Sequence, residues 1–328
     1  MRISVLGSGI WGTALAKLLA DNAHDVTLHF LRTPHSAYVS AERESKALPG
    51  VRLPTSLKLC DSLDGLDEAQ LVVFAPPSYA MRENAALVKR VVPRSATIVS
   101  VSKGIERDSG LRLSQVLESE LGDSARIAVL SGPSHAEEIA RGIPTGCVAA
   151  AVEPATAKLV QDAFMSPDFR VYTSDDVVGV ELCGALKNII AIAVGVCGGL
   201  GYGDNTKAML MTRGLFEMSV LGETLGGRRE TFAGLAGVGD LIVTCTSEHS
   251  RNLRMGRNVG QGMTAQDAMH SVGATVEGYY AAEAAVELSR RHGVEMPIVS
   301  ELYGIMYHNA DPRAATVRLM RRDKKDEI

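Results

Sequence analysis

The stretch from Ile3 to Asn22 reads ISVLGSGIWGTALAKLLADN and joins a short apolar run, a glycine-rich turn and a helical pattern. Ile3 to Leu6 is typical of a buried β-strand. Thr13 to Asn22 is rich in strong helix formers and ends at an asparagine, a common helix stop. The turn between them, Gly7 to Gly12, has the spacing G-x-G-x-x-G. Its glycines allow a tight turn, close approach of the backbone to a pyrophosphate, and packing of the helix on the strand. The stretch therefore predicts a dinucleotide-binding turn.

Short β-branched runs alternate with helical patterns through the first half of the chain, as a parallel sheet covered by helices requires. The later strand candidates are Val26 to Phe30, Leu71 to Ala75, Thr97 to Val101, Ile127 to Leu130, Cys147 to Ala151 and, as an edge strand, Phe169 to Tyr172. After Asp176 helical periodicity takes over. We expect an α/β Rossmann-like N-terminal domain over residues 1–175, with a mostly parallel, doubly wound sheet that binds a dinucleotide. We expect an all-α C-terminal domain over residues 176–328 that binds the substrate and performs catalysis.

Length and composition exclude several classes of protein. The 328 residues exceed the size of a small disulfide-stabilised module, and the net charge of −4 argues against binding to nucleic acid. The longest weakly polar stretch, Ile189 to Gly203, is too short to span a membrane, and the N-terminus lacks the apolar core of a signal peptide. The five cysteines include no C-x-x-C pair and suit a reducing compartment as buried thiols. We therefore expect a cytoplasmic protein with no membrane span.

The end of the second predicted strand bears on the choice of cofactor. An NAD site usually has an acidic residue there, about 20 residues after the glycines, that binds the ribose hydroxyls. The sequence His29 to Thr33 has Arg32 instead, and the first acidic residue downstream is Glu42. An arginine suits a ribose with a 2′-phosphate. We predict NADP(H) as the preferred cofactor and NAD(H) as the second choice, although a solvated loop arginine would give the same pattern.

Three segments follow predicted strands at the edge where ligands bind in open α/β sheets. They are Ala75 to Ser78, Ser102 to Gly104 and Ser131 to His135. Lys103 lies in the second of them, directly after a strand. We predict that Lys103 is a cation that faces the substrate, with an ordinary surface lysine as the alternative.

The segment Glu181 to Ile190 places Lys187 and Asn188 in an apolar helix with no acidic residue three or four positions from the lysine. A lysine at a helix edge that extends its ammonium to solvent would fit this pattern. We favour a catalytic amine with a pKa lowered by burial and by a neighbouring cation such as Lys103.

Hydroxyl, guanidinium and amide groups cluster between Thr244 and Asn252. Arg251 can bind a phosphate through two charge-assisted hydrogen bonds, and a helix capped by Ser250 would point its first amides at the same anion. An ordinary helix cap is the alternative. The eight histidines show no metal-ligand spacing, so we expect no metal. Nothing orients His249 toward Cys245 as a thiol catalyst would require.

Together these segments resemble NAD(P)-dependent glycerol-3-phosphate dehydrogenases of the bacterial type over nearly the whole chain. The resemblance rests on Gly7 to Ala16, Leu48-Pro49-Gly50, Ser102 to Glu106, Ser131 to Ser134, Gly184 to Asn188, Gly214 to Met218, Gly239-Asp240-Leu241, Ser250-Arg251-Asn252 and Val276-Glu277-Gly278. It implies the reversible reduction of dihydroxyacetone phosphate to sn-glycerol 3-phosphate, for glycerophospholipid synthesis, in a homodimer. Lys187 would be the proton donor and acceptor.

The resemblance also implies two sets of binding residues. The substrate would contact Lys103, Gly132, Ser134, Lys187, Asn188, Asp240, Thr244, Ser250, Arg251 and Asn252. The cofactor would contact Gly7, Gly9, Ile10, Trp11, Gly12, Arg32, Lys103, Ala136, Arg251, Thr275 and Glu277. Two alternatives stay open: a related two-domain dehydrogenase of the β-hydroxyacid or 6-phosphogluconate type, and a non-catalytic dinucleotide sensor.

Overall fold

Within the residues that the structure describes, eight β-strands form one sheet in the N-terminal half of the chain. They are β1 (Arg2–Leu6), β2 (Asp25–His29), β3 (Lys58–Cys60), β4 (Leu71–Phe74), β5 (Thr97–Ser100), β6 (Arg126–Ser131), β7 (Thr145–Ala150) and β8 (Phe169–Ser174). Their order is β3-β2-β1-β4-β5-β6-β7-β8. The β6–β7 pair is antiparallel, and the other neighbouring strands run parallel.

This computed structural model describes residues 1–32, 34–46, 48–123, 125–273, 275–324 and 326–327. The chain divides into two compact units. The α/β unit comprises Met1–Glu106 and Leu111–Glu181, and the helical unit comprises Arg107–Gly110 and Leu182–Ile328. The assignment of cofactor binding to residues 1–175 and of substrate binding to residues 176–328 stays a prediction.

Helices cover both faces of the sheet because alternate strand residues point to opposite sides. In the α/β unit the helices are α1 (Ile10–Asp21), α2 (Met81–Val88), α3 (Leu113–Leu121), α4 (Ala136–Ile139) and α5 (Pro154–Phe164). On one face, Val5 and Val73 pack with apolar residues of α1 and α5. On the other face, Leu6 and Phe74 pack with apolar residues of α2 and α3. This arrangement confirms the predicted doubly wound, mostly parallel sheet.

The seven strands predicted from the sequence are all present, with ends that differ by at most two residues. The edge position predicted for the last of them is also confirmed. Sequence analysis missed β3. It has only three residues, pairs with Thr27 to His29, and is too short to show an alternating pattern.

The chain after residue 176 is helical within the described residues. The α-helices are α6 (Val177–Gly199), α7 (Asp204–Thr224), α8 (Arg229–Phe232), α9 (Asp240–Thr246), α10 (Arg251–Gly260), α11 (Ala265–Val272), α12 (Glu277–His292), α13 (Pro297–His308) and α14 (Pro312–Met320). A short π-helix, Leu235–Gly239, directly precedes α9. Asp311 caps α14 by accepting a hydrogen bond from the amide of Arg313, as the Asp-Pro pair predicts.

Helix α6 is longer and more apolar than the sequence analysis expected. Among the described residues it alone has the length and composition to cross a membrane, with a mean hydropathy of 1.9 over 18 residues. Sequence analysis considered only Ile189 to Gly203, because the polar residues Glu181, Lys187 and Asn188 interrupt the apolar pattern of this 23-residue helix. Within the protein 94% of that window is buried, as in the core helix of a globular fold.

Candidate active site

The glycine-rich turn has the close contacts that its sequence predicts. Gly7 adopts a φ of 114°, and a Cβ atom there would lie 2.8 Å from the carbonyl carbon of Ala75. A Cβ atom on Gly12 would lie 1.9 Å from the carbonyl oxygen of Gly7. Gly9, the N-cap of α1, has open space where its Cβ would be. The turn is therefore closed toward the protein and open at the N-terminus of α1, which fits the pyrophosphate of a dinucleotide.

Ile10 and Trp11, both predicted to contact the cofactor, form the first turn of α1. The indole N–H of Trp11 donates a hydrogen bond to the carbonyl oxygen of Val101 at 2.9 Å. This bond ties α1 to the chain just beyond β5 and fixes the orientation of the indole.

Three predicted substrate residues meet where β5 and β6 end. The Nζ atom of Lys103 donates hydrogen bonds to the carbonyl oxygen of Gly132 at 2.9 Å and to Oγ of Ser134 at 3.3 Å. The Ser134 hydroxyl itself donates to the carbonyl oxygen of Gly132 at 2.8 Å. Ala136, a predicted cofactor residue, follows as the buried first residue of α4. The structure therefore assembles these four residues at the carboxyl edge of the sheet.

Arg32 lies just beyond β2, as predicted, but it is not an isolated loop arginine. Its guanidinium is 2.6 Å from the carboxylate of Glu83 in the first turn of α2. Sequence reasoning missed Glu83, because 51 residues separate the two and no local pattern links them. Contact of Arg32 with a 2′-phosphate stays a prediction.

Lys187 is buried in α6 with 5% of its surface exposed. Its Nζ atom donates hydrogen bonds to Oδ1 of Asp240 at 2.5 Å and to Oγ1 of Thr244 at 2.6 Å. Thr244 in turn donates to the backbone carbonyl oxygen of Asp240 at 2.6 Å, so its oxygen is oriented to accept from the lysine. The structure thus joins a cation, a carboxylate and a hydroxyl that were each predicted near the substrate.

The expectation that Lys187 has no acidic partner was therefore wrong. The search for an acid covered only neighbouring turns of the same helix, whereas Asp240 is the first residue of α9, 53 residues further on. The alternative of a lysine that extends to solvent is also wrong, because the ammonium is buried. Whether Lys103 acts on the pKa of Lys187 stays a hypothesis.

Two asparagines extend this cluster. The Nδ2 group of Asn252 donates to Oδ1 of Asn188 at 2.9 Å, and the amide of Gly278 donates to Oδ1 of Asn252 at 3.0 Å. The Asn188 amide donates to the carbonyl oxygen of Gly184 at 3.2 Å. Sequence analysis did not name Gly278 as a site residue, although it lies beside Glu277, the predicted cofactor residue that begins α12. Thr275 lies two residues before Glu277 in the same connection.

Ser250 caps α10, as predicted: its hydroxyl oxygen accepts a hydrogen bond from the amide of Leu253 at 3.2 Å. Arg251 and Asn252 are the first two residues of that helix. The cap and the predicted anion site are compatible, because a capped helix still has amides of its first turn that point along the axis. Phosphate binding by Arg251 stays a prediction.

The thiol near this cluster is not suited to nucleophilic catalysis. Burial raises the pKa of Cys245 to about 12, against a smaller lowering effect of Lys187, so the sulfur is protonated at neutral pH. All five cysteines are free, and four are buried. No group of three or more His, Cys, Asp or Glu residues in the described parts of the chain could hold a metal ion.

Two family models together match most of the chain. The one described as NAD-dependent glycerol-3-phosphate dehydrogenase N-terminus matches residues 2–157, and the one described as the C-terminus matches residues 176–317. The chain belongs to the NAD-dependent glycerol-3-phosphate dehydrogenase family. Glycerol-3-phosphate dehydrogenases (NAD(P)+) from Moorella thermoacetica and Fusobacterium nucleatum are 48% and 45% identical to it. These alignments cover 99% and 100% of this chain and 97% and 99% of the relatives.

Solved structures agree with this membership. A glycerol-3-phosphate dehydrogenase from Coxiella burnetii superposes with a TM-score of 0.93 at 37% identity, over 98% of this chain and 99% of that one. A ketopantoate reductase from Ralstonia eutropha reaches a TM-score of 0.62 at 17% identity, which shows a shared fold alone. The resemblance inferred from the sequence is confirmed: this is an NAD(P)-dependent oxidoreductase of the glycerol-3-phosphate dehydrogenase family. Neither the β-hydroxyacid type nor the sensor is favoured.

Proposed function

We propose that this glycerol-3-phosphate dehydrogenase reversibly reduces dihydroxyacetone phosphate to sn-glycerol 3-phosphate and uses Lys187 as the proton donor and acceptor. The observation that supports the role of the lysine is its buried ammonium group, held by Asp240 and Thr244. A buried, oriented ammonium is the kind of group that general acid catalysis requires. The product supplies the synthesis of glycerophospholipids.

The chemistry divides between the bound dinucleotide and this chain. A bound reduced dinucleotide would supply hydride chemistry toward the ketone carbon. Lys187 donates a proton from Nζ to the oxygen as negative charge develops there, and in the reverse direction the neutral amine takes that proton back. Asp240 and Thr244 fix the position of Nζ, and they also stabilise the ammonium form that the donor needs. A positioned acid of this kind typically contributes about 100- to 10,000-fold in rate.

Each unit, taken by itself, contains candidate partners for a phosphorylated substrate. In the helical unit, Arg251 and the capped N-terminus of α10 suit a phosphate, because guanidinium and backbone amides both favour an anion. Asn188 and Asn252 supply amide groups. In the α/β unit, Lys103 with Gly132 and Ser134 forms a cationic, hydrogen-bonded group at the sheet edge.

The glycine turn and the first turn of α1 fit a dinucleotide, and Arg32 favours NADP(H) over NAD(H). A cytoplasmic homodimer that binds neither nucleic acid nor membrane completes the proposal. The net charge of −4 argues against binding to nucleic acid, and burial of the apolar helix α6 argues against a membrane span. The homodimer rests on the family resemblance alone.

The test is the loss of reduced-nicotinamide absorbance with dihydroxyacetone phosphate, run in parallel with NADPH and NADH. Lys187→Ala should lower kcat at least about 100-fold and leave cofactor affinity near normal. Lys207→Ala is the control, because Lys207 is a more exposed lysine of α7 paired with Asp204. Turnover of 3-hydroxyacids without turnover of dihydroxyacetone phosphate would overturn the substrate assignment. Loss of cofactor binding in Lys187→Ala would make the lysine structural.

A further inference from the structure

The end of β2 lacks the acidic residue of an NAD site, yet an acidic residue lies beside it. Glu83 in the first turn of α2 forms an ion pair with Arg32 at 2.6 Å. The side chains of Arg32 and Glu83 are 60% and 76% exposed, so both are accessible to a ligand. A cation and an anion thus lie together at the position where dinucleotide-binding folds recognise the adenosine ribose.

The fold explains why these two residues meet. Leu31, the residue before Arg32, packs against the apolar cluster that contains Met81 and Ala85 of α2. This contact holds the chain after β2 against the helix that contains Glu83. The pair also belongs to the cofactor edge of the sheet: β4, which precedes α2, pairs with β1, and Ala75 after β4 contacts Gly7 of the glycine turn.

The two charges suit two different cofactors. The 2′-phosphate of NADP(H) is an anion that an arginine can bind through two charge-assisted hydrogen bonds. The ribose of NAD(H) has free hydroxyl groups there, which donate to a carboxylate in typical NAD sites. Because Arg32 is already paired with Glu83, a 2′-phosphate must compete with the Glu83 carboxylate, which is also an anion, for the Arg32 guanidinium.

We propose that Glu83 determines cofactor specificity: its carboxylate binds the adenosine ribose hydroxyls of NAD(H) and competes with the 2′-phosphate of NADP(H) for Arg32. The acid that β2 lacks is then supplied by α2. This inference rests on the cofactor site of the proposed function and extends it to dual use of the two dinucleotides. An exposed ion pair is weak, so the 2′-phosphate displaces the Glu83 carboxylate from Arg32 at a small cost in free energy.

The decisive variant is Glu83→Gln, with Glu68→Gln as the control. Glu68 forms a comparably exposed ion pair with Arg2 at the start of β1, the edge of the sheet opposite the glycine turn. The probes are adenosine 2′,5′-bisphosphate and adenosine 5′-monophosphate, which are the adenosine halves of the two cofactors. Their Kd values are measured by isothermal titration calorimetry and by the fluorescence of Trp11, the single tryptophan.

Glu83→Gln should bind the bisphosphate about three- to tenfold more tightly and the monophosphate about two- to fivefold more weakly. Glu68→Gln should change neither Kd. The ratio of kcat/KM for NADPH to that for NADH should rise by the product of these factors. Unchanged Kd values in Glu83→Gln, or equal changes for both probes, would overturn the role of Glu83.

Arg32→Ala separates this inference from the proposed function. If Arg32→Ala reduces discrimination between the probes while Glu83→Gln leaves it intact, only the role of Glu83 fails. If neither variant alters discrimination, the predicted 2′-phosphate site fails as well. Both measurements use binding of adenosine nucleotides, so they are independent of whether dihydroxyacetone phosphate is the substrate.

Discussion

The α/β unit and the helical unit present their candidate site residues in different ways. In the α/β unit the glycine turn is shaped by backbone contacts, and Lys103 and Ser134 bond to a backbone carbonyl oxygen. In the helical unit, five candidates are buried side chains that bond to one another across helices: Lys187, Asn188, Asp240, Thr244 and Asn252. Lys187 of α6 bonds to Asp240 of α9 at 2.5 Å.

This difference has consequences for how each site responds to substitution. A binding edge made of backbone and exposed charges, such as Arg32 and Glu83, can be altered without loss of the fold. A buried cluster is coupled to packing, because a polar group that loses its partner stays buried and costs free energy. Cofactor preference should therefore be easier to alter than the catalytic cluster. Substitutions of three buried residues in the two units should show how strongly packing and buried ionisable groups affect stability, from the largest expected effect to the smallest.

The crossing of α6 and α10 should tolerate no added atoms. A Cβ atom on Gly256 of α10 would lie 2.0 Å from the carbonyl oxygen of Ile192, and one on Gly195 of α6 would lie 2.2 Å from that of Leu253. Backbone atoms cannot move aside as a flexible side chain can. We expect Gly256→Ala to lower the free energy of unfolding by about 3 kcal/mol or more, measured by urea denaturation. It should also lower kcat/KM, because α10 begins with Arg251, which we propose binds the substrate phosphate.

Gly198 of α6 supplies the matched control. A Cβ atom there meets nothing within 4 Å, so Gly198→Ala should raise stability by roughly 0.5 to 1 kcal/mol through better helix propensity. Equal effects of the two substitutions would contradict a contact between the helix backbones.

The fold was predictable because its signals are local. The glycine turn, the β-branched runs and the Ser250 cap each depend on a few neighbouring residues, and all were located within two residues. Strand β3 has too few residues to give such a signal.

The sequence named candidate site residues that the structure brings together, but it did not show the contacts between them. Lys187 was recognised as a buried lysine, but its partner Asp240 is 53 residues away, so local inspection left it unpaired. Arg32 and Glu83 are 51 residues apart and show the same limit. Pairings of this kind depend on the packing of one element against another. The spacing of residues within a single element does not encode that packing.

Glu217 should make the helical unit less stable as pH rises. The carboxylate of this buried residue of α7 accepts hydrogen bonds from the amides of Ile298 at 2.9 Å and Val299 at 3.3 Å, at the start of α13. Burial nevertheless raises its pKa to about 7, against the lowering effects of those amides and of Arg322 and Arg213. The folded state thus binds the proton more tightly than the unfolded state, where the pKa is near 4.5. The free energy of unfolding should fall between pH 4.5 and 7, by roughly 2 to 3 kcal/mol in total.

Glu217→Gln should remove this slope in urea denaturation followed by circular dichroism at pH 5 and pH 7.5. Glu223→Gln is the control, because Glu223 lies on the same helix and is exposed. If the slope of the free energy of unfolding with pH persists in Glu217→Gln but disappears in Glu223→Gln, the titrating group is not Glu217.

His29 should give the α/β unit the opposite dependence on pH, with a smaller effect. This fully buried residue of β2 donates from Nδ1 to the carbonyl oxygen of Ser62 at 2.8 Å and accepts at Nε2 from the Ser4 hydroxyl at 3.2 Å. Burial lowers its pKa below the ordinary 6.5, outweighing the raising effects of the Ser62 carbonyl and Asp64. The unfolded state therefore takes up a proton first, so the stability of the sheet should fall as pH drops below 6.5.

His29→Gln should abolish that slope and cost about 1 kcal/mol per lost hydrogen bond at pH 8. Hydrogen exchange, corrected for intrinsic rates, would resolve β1 to β3 from α7 and α13. Slopes of the same sign in both regions would contradict the assignment of one titrating group to each unit.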